Sequence, residues 1–206
     1  MKRRILWCIL CACLVSTSLF AQEPALLSRV HDTEACRKWV DGQMEKMTLK
    51  QKVGQLFIYT LQPVTNQYSK NVLRKMVDDY GVGGLLFTGG ELRKQVQMTN
   101  YAQVHALVPL MVTFDGEWGL GMRLKDTPSF PYNRVLGCIQ NDSLLYEYGK
   151  EVARQCRLIG VQINFAPVAD VDNNPNNPVI NFRSFGSDPK RVAEKVAAYV
   201  KGLEDN

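Results

Sequence analysis

The sequence predicts an α/β fold of the (β/α)8, TIM-barrel type, with only about the first four βα units present. Three observations predict it. The 206 residues are 46% apolar and 22% charged, a balance that can bury a core and excludes disorder and collagen-like repeats. Four short apolar strands alternate with amphipathic helices, the pattern of a parallel sheet covered by helices. A closed barrel needs eight such units and about 250 residues, so four units make half of one.

Residues 1–21 come first. Lys2, Arg3 and Arg4 precede an apolar run beginning at Ile5, and Ala21 stands before the polar Gln22-Glu23-Pro24. This layout predicts a secretory signal peptide cleaved after Ala21. An uncleaved anchor is disfavoured because the strongly apolar part is shorter than the ~20 residues a bilayer core needs. A lipoprotein at Cys13 would leave a very short apolar region. Residues 22–47 read as a helical lead-in, with a helix over about 33–47 placing Val40, Met44 and Met47 on one side. Residues 48–206 read as the half-barrel.

Within the half-barrel, Thr48 with Gln51 three residues on reads as a capping box. Leu56-Phe57-Ile58-Tyr59 is the first strand, followed by a helix with Val72, Leu73, Met76, Val77 and Tyr80 at helical spacing until Gly81. Residues 82–87 form the second strand, residues 91–107 a helix and residues 110–114 the third strand. A long loop to about Gln140 leads to a helix capped at Asn141 or Asp142, with Leu145, Tyr148, Val152, Cys156 and Ile159 in a stripe that ends at Gly160. Residues 161–166 form the fourth strand. Asp188 caps and Pro189 opens the last helix, where Val192, Val196, Tyr199 and Leu203 face a core. The chain stops about a turn later with no Gly, Pro or polar segment, and we expect a cut there, of a fragment or a half-barrel.

Charge excludes one class of partner. Without residues 1–21, the net charge falls from +5 to +2, with 22 basic and 20 acidic residues. That leaves no electrostatic footprint for nucleic acid. Cys36, Cys138 and Cys156 remain, with no pair at zinc or redox spacing. Export permits disulfides, but the count is odd and Cys156 lies on an apolar stripe, so at least one buried free thiol is expected.

Functional residues of parallel α/β folds gather just past the C-terminal ends of strands. The third strand runs into Asp115-Gly116-Glu117-Trp118-Gly119 and then Arg123, the fourth into Asn164-Phe165-Ala166-Pro167 and on to Asp170, Asp172 and Arg183. Carboxylates accept from paired hydroxyls, guanidinium groups donate and an indole covers a sugar ring, so these mouths suit a polyol. Each residue also has a bland alternative. Asp115 and Asp170 would serve as turn caps, Arg183 would pair with Asp170 or Asp172, and Trp118 would plug its loop. The Asn-Pro run 173–178 reads as a rigid turn.

Gly83-Gly84-Leu85-Leu86-Phe87, Asp115-Gly116-Glu117-Trp118-Gly119 and the run from Asn164-Phe165-Ala166-Pro167 to Asn181-Phe182-Arg183-Ser184-Phe185-Gly186 together resemble the N-terminal barrel of glycoside hydrolase family 3, closest to its β-N-acetylhexosaminidase branch. The resemblance spans about residues 47–204. That branch commonly has Asp-Gln-Glu-Gly-Gly where Gly116 and Trp118 here replace the Gln and first Gly, so the detailed shape of the sugar pocket is not carried over. The resemblance implies a retaining hydrolase that removes terminal β-linked N-acetylglucosamine through a covalent glycosyl-enzyme, and the signal peptide implies that it is exported, periplasmic or secreted. It implies no cofactor and no metal. The implied partner is a cell-wall or glycan carbohydrate, with no nucleic acid and no stable membrane span after signal cleavage.

Residue by residue, Asp115 matches the Asp that holds sugar hydroxyls and Arg183 the Arg that contacts ring substituents, with Arg123 and Asp170 as further substrate-binding candidates. The branch places its acid/base His on a Lys-His-Phe-Pro-Gly-His-Gly-like loop past the fourth βα unit and its nucleophilic Asp later still. His31 and His105 stand in no such loop, so the reacting pair is expected beyond Asn206 and this chain by itself is expected to be inactive. The alternatives are a β-glucosidase of the same family and a non-catalytic sugar-binding half-barrel.

Overall fold

The computed structural model describes residues 33–206. The expected signal peptide, the start of the lead-in and His31 lie outside the described residues. The chain divides between Arg37 and Lys38, and Lys38–Asn206 form the second, compact unit. Helix α1, Thr33–Lys46, buries none of its residues, and of the expected stripe Val40 and Met44 are exposed while Met47, just past the helix, is buried.

The second unit holds a four-stranded sheet of β1 (Ile58–Leu61), β2 (Gly84–Phe87), β3 (Met111–Phe114) and β4 (Ile163–Asn164). All three pairings are parallel, and the spatial order is β1-β2-β3-β4. A strand order that follows the sequence without reversal is that of a barrel wall. A doubly wound sheet would turn back at a switch point. The predicted TIM-barrel-type α/β fold is therefore present as four consecutive strands.

Helix α2, Leu49–Gly54, starts with the expected capping box, in which the Thr48 side chain accepts from the Gln51 amide and the Gln51 side chain accepts from the Thr48 amide. Between β1 and β2, α3 (Gln67–Arg74) runs directly into a π-helical turn, Lys75–Asp79, and ends at Gly81 with φ 62°. Helix α4 (Leu92–His105) connects β2 to β3. A short helix, α5 (Asn133–Leu136), and then α6 (Ser143–Leu158) connect β3 to β4, and α7 (Pro189–Glu204) follows.

The core lies between the sheet and these helices. Leu85, Phe87, Val112 and Phe114 are fully buried from the strands, and Leu73, Met98, Leu145, Val152 and Tyr199 meet them from the helices. Helices α6 and α7 approach so closely that a Cβ on Gly149 would lie 2.2 Å from the Tyr199 carbonyl oxygen, and one on Gly202 would lie 2.1 Å from that of Tyr146. Across that seam, buried Lys195 donates to the Ile139 carbonyl and the Asp142 carboxylate.

Three boundaries differ from expectation. The first strand starts at Ile58, and Leu56 and Phe57 are exposed. They belong to a bend after α2, and Phe57, with Val53, Ile58, Met76 and Tyr80, lines an apolar groove of about 690 Å³ beside β1. The fourth strand is two residues long, because after Asn164 the chain turns into the loop that carries Asp170. The long loop after β3 contains α5, which no apolar periodicity announces.

Candidate functional site

The site is built where β3 and β4 end. The amide of Gly116 donates to Asn164 Oδ1 at 2.9 Å, and Asn164 Nδ2 donates back to the Gly116 carbonyl at 3.3 Å. The last residue of β4 thus clamps the loop that follows β3. The loop then turns at Gly119, where φ is 82° and a Cβ would stand 2.6 Å from the Phe130 ring, so that only glycine fits.

This turn carries two carboxylate–guanidinium pairs. Arg123 reaches back to Asp115, with Nε donating to its carbonyl at 3.1 Å and Nη2 to its carboxylate. Both side chains keep about a third of their surface exposed, at 31% and 34%. Glu117 is only 4% exposed. It accepts from Arg183 Nε at 3.0 Å on each oxygen and from Nη2 at 2.7 Å, a bidentate pair. The hydrogen bonds from Arg183 to Glu117 raise the guanidinium pKa, and Asp115 and Asp170 add to the rise through their charge. Arg183 therefore stays cationic at every accessible pH, within electrostatic reach of three carboxylates.

The segment bearing Arg183 is tied down separately. Buried Asn133 of α5 donates to the Arg183 carbonyl at 2.7 Å. Asn181 takes φ 36°, a left-handed conformation that Asn tolerates better than most residues. Arg134 holds the Asn181 carbonyl at 3.1 Å and the Asp172 carboxylate. Ser184 Oγ donates to the Asp170 carbonyl at 2.6 Å.

Asp115 thus pairs with Arg123 and lies within electrostatic reach of Arg183, but the alternative pairing of Arg183 with Asp170 or Asp172 does not form. Neither Asp170 nor Asp172 pairs with it, because Arg134 occupies Asp172 and Asp170 contributes its main chain, leaving its carboxylate exposed. Glu117, a partner 66 residues away in sequence, takes that place. It stood inside the Asp115–Gly119 motif but nothing local marked it as buried. Trp118 is half-buried and meets Tyr132 edge-on at 4.8 Å, and Tyr132 in turn meets Phe182 at 4.6 Å, both of the latter exposed. His105 ends α4 against Tyr101, before β3 begins, and so stands at the end of the sheet opposite the site.

Among the described residues no cluster of His, Cys, Asp and Glu could hold a metal ion, and no helix is long and apolar enough to cross a membrane. What the mouth offers is a set of fixed hydrogen-bond donors and acceptors, suited to hydroxyl groups.

Residues 48–206 match the Glycosyl hydrolase family 3 N terminal domain. The chain is 31% identical over 145 residues to Beta-hexosaminidase A of Pseudoalteromonas piscicida, covering 64% of this chain and 24% of that protein. It is 35% identical over 135 residues to the beta-hexosaminidase LpqI of Mycobacterium tuberculosis, covering 63% and 34% respectively. Among solved structures, a family 3 beta-N-acetylglucosaminidase from a Paenibacillus species superposes with a TM-score of 0.68 at 31% identity, over 77% of this chain and 31% of that one. The chain spans a quarter to a third of the length of these relatives.

Proposed function

The chain belongs to glycosyl hydrolase family 3, its N-terminal domain spanning residues 48–206, and on that premise we propose that it forms the sugar-binding part of the active site of an exported retaining β-N-acetylhexosaminidase. The carrying observation is the pair of carboxylate–guanidinium couples, Asp115–Arg123 within the turn after β3 and Glu117–Arg183 between that turn and the segment after β4. Asp115 accepts from two neighbouring sugar hydroxyls, Arg183 donates to a ring substituent, and Arg123 holds the Asp115 carboxylate toward the mouth. Asp170 adds a second acceptor at the rim. Relatives named beta-hexosaminidase and beta-N-acetylglucosaminidase support the choice of a terminal β-linked N-acetylglucosamine in cell-wall or glycan material.

Family 3 chemistry as proposed here is double displacement, with an Asp nucleophile and a separate acid/base. The residues described at the ends of β3 and β4 bind and orient. The proton donor and the nucleophile are assigned to other βα units, since His105 stands at the wrong end of the sheet. Export rests on the basic start and apolar run of residues 1–21.

The test is hydrolysis of p-nitrophenyl β-N-acetylglucosaminide by the enzyme expressed from the complete reading frame. Faster turnover than on p-nitrophenyl β-glucoside is the expected result. A preference for the glucoside would move the enzyme to the β-glucosidase branch, and no turnover on either would leave a sugar-binding barrel.

A further inference from the structure

We propose that Glu117 is a positioning and specificity-determining residue, which fixes Arg183 as a charge-compensated donor and so reserves the site for uncharged sugars. A carboxylate only 4% exposed is costly to bury and persists only with its partners in place. Here the partner is Arg183, gripped through Nε and Nη2. Its Nη1 lies 3.4 Å from the Val179 carbonyl. A guanidinium has five N–H groups, so one on Nη1 and one on Nη2 stay free for a ligand, on a group that cannot swing away.

Glu117 is itself held. Its carbonyl accepts from Tyr148 Oη at 3.3 Å and its amide approaches Met122 Sδ at 3.3 Å. The pair is neutral, as is Asp115–Arg123, and the exposed Asp170 carboxylate brings these groups at the ends of β3 and β4 to a net charge of about −1. A neutral sugar meets donors and acceptors there, whereas a uronic acid meets a repulsive field.

This inference rests on the glycosidase reading, so its test includes one measurement that does not. The enzyme from the complete reading frame is compared with Glu117→Gln, Glu117→Asp, Arg183→Ala and Glu117→Ala/Arg183→Ala. Glu117→Gln should lower kcat/KM on the N-acetylglucosaminide about tenfold, mainly through KM. It should also strengthen competitive inhibition by D-glucuronate several-fold, whereas Glu117→Asp keeps that inhibition at the wild-type level. If Glu117 acts through Arg183, the double variant should match Arg183→Ala within about twofold. Independently of any turnover, the Arg183 Nε–H should give a slowly exchanging NMR resonance that broadens in Glu117→Gln. Additive losses in the double variant, unchanged glucuronate inhibition in Glu117→Gln, or an Nε–H that stays protected without the carboxylate would each overturn the proposal. A wild-type protein with no turnover but with the expected resonance behaviour would sink the glycosidase reading and leave the fixation of Arg183 standing.

Discussion

Replacing Asp115 with alanine separates what this carboxylate does for the fold from what it does for a ligand. Asp115 and Arg123 are 34% and 31% exposed, so water competes for both and the pair contributes about 0–1 kcal/mol to stability. Arg123 keeps its bond to the Asp115 carbonyl at 3.1 Å, which the substitution leaves in place. At roughly 2–4 °C per kcal/mol for a protein of this size, Tm should fall by no more than about 4 °C. The effect on catalysis is larger. Each charge-assisted bond from a sugar hydroxyl to the carboxylate is worth about 1.5–3 kcal/mol, which corresponds to a loss of about ten- to a hundred-fold in kcat/KM. The assay is steady-state hydrolysis of p-nitrophenyl β-N-acetylglucosaminide by enzyme from the complete reading frame, beside a thermal melt of the same sample. A variant that melts early and keeps wild-type kcat/KM would refute the reasoning, since Asp115 would then be a turn cap.

Other expectations follow from specific contacts. Asp170→Ala should leave Tm unchanged, within about 0.5 kcal/mol of stability, because Ser184 binds the Asp170 carbonyl rather than its side chain; a large drop on a melt would show a structural carboxylate. Lys195→Met keeps the apolar stem but loses the bonds across the α6/α7 seam to Ile139 and Asp142, so it should cost about 1–3 kcal/mol in denaturant unfolding, and an unchanged midpoint would contradict the seam's dependence on them. Burial pushes the Cys156 thiol pKa up to about 11 while Cys138 is exposed; brief alkylation at pH 8 followed by peptide mapping should therefore label Cys138 and spare Cys156, and equal labelling would disprove the difference. For export, N-terminal sequencing from a native-like host should begin at Gln22, and soluble cytoplasmic material starting at Met1 would contradict the signal peptide.

The sequence made the strand ends legible because their polar residues follow apolar runs directly. Asp115 and Arg123 are eight residues apart, on one turn that local chemistry can close. The Glu117–Arg183 pair was not legible, since it joins two strand ends that become neighbours only when β3 and β4 pair. Lys195 was missed for a different reason. It occupies a core position of α7 between Val192 and Tyr199, where an apolar count passes over a long charged side chain that buries its stem. Leu56 and Phe57 misplaced the first strand because a short apolar run cannot distinguish an exposed bend from a buried strand. Of the two expected caps, Asp142 stands at the N-cap of α6 but makes no capping bond, because Lys195 holds its carboxylate, while Asn141 accepts from the Ser143 amide.

The most direct test of the sugar site is a crystal structure of the enzyme from the complete reading frame with N-acetylglucosamine bound. The pyranose should sit at the C-terminal ends of β3 and β4, with neighbouring hydroxyls on the Asp115 carboxylate, a ring substituent on the free edge of the Arg183 guanidinium, and Glu117 still gripping the opposite edge. A sugar bound elsewhere, with Asp115 and Arg183 touching only protein, would contradict the account.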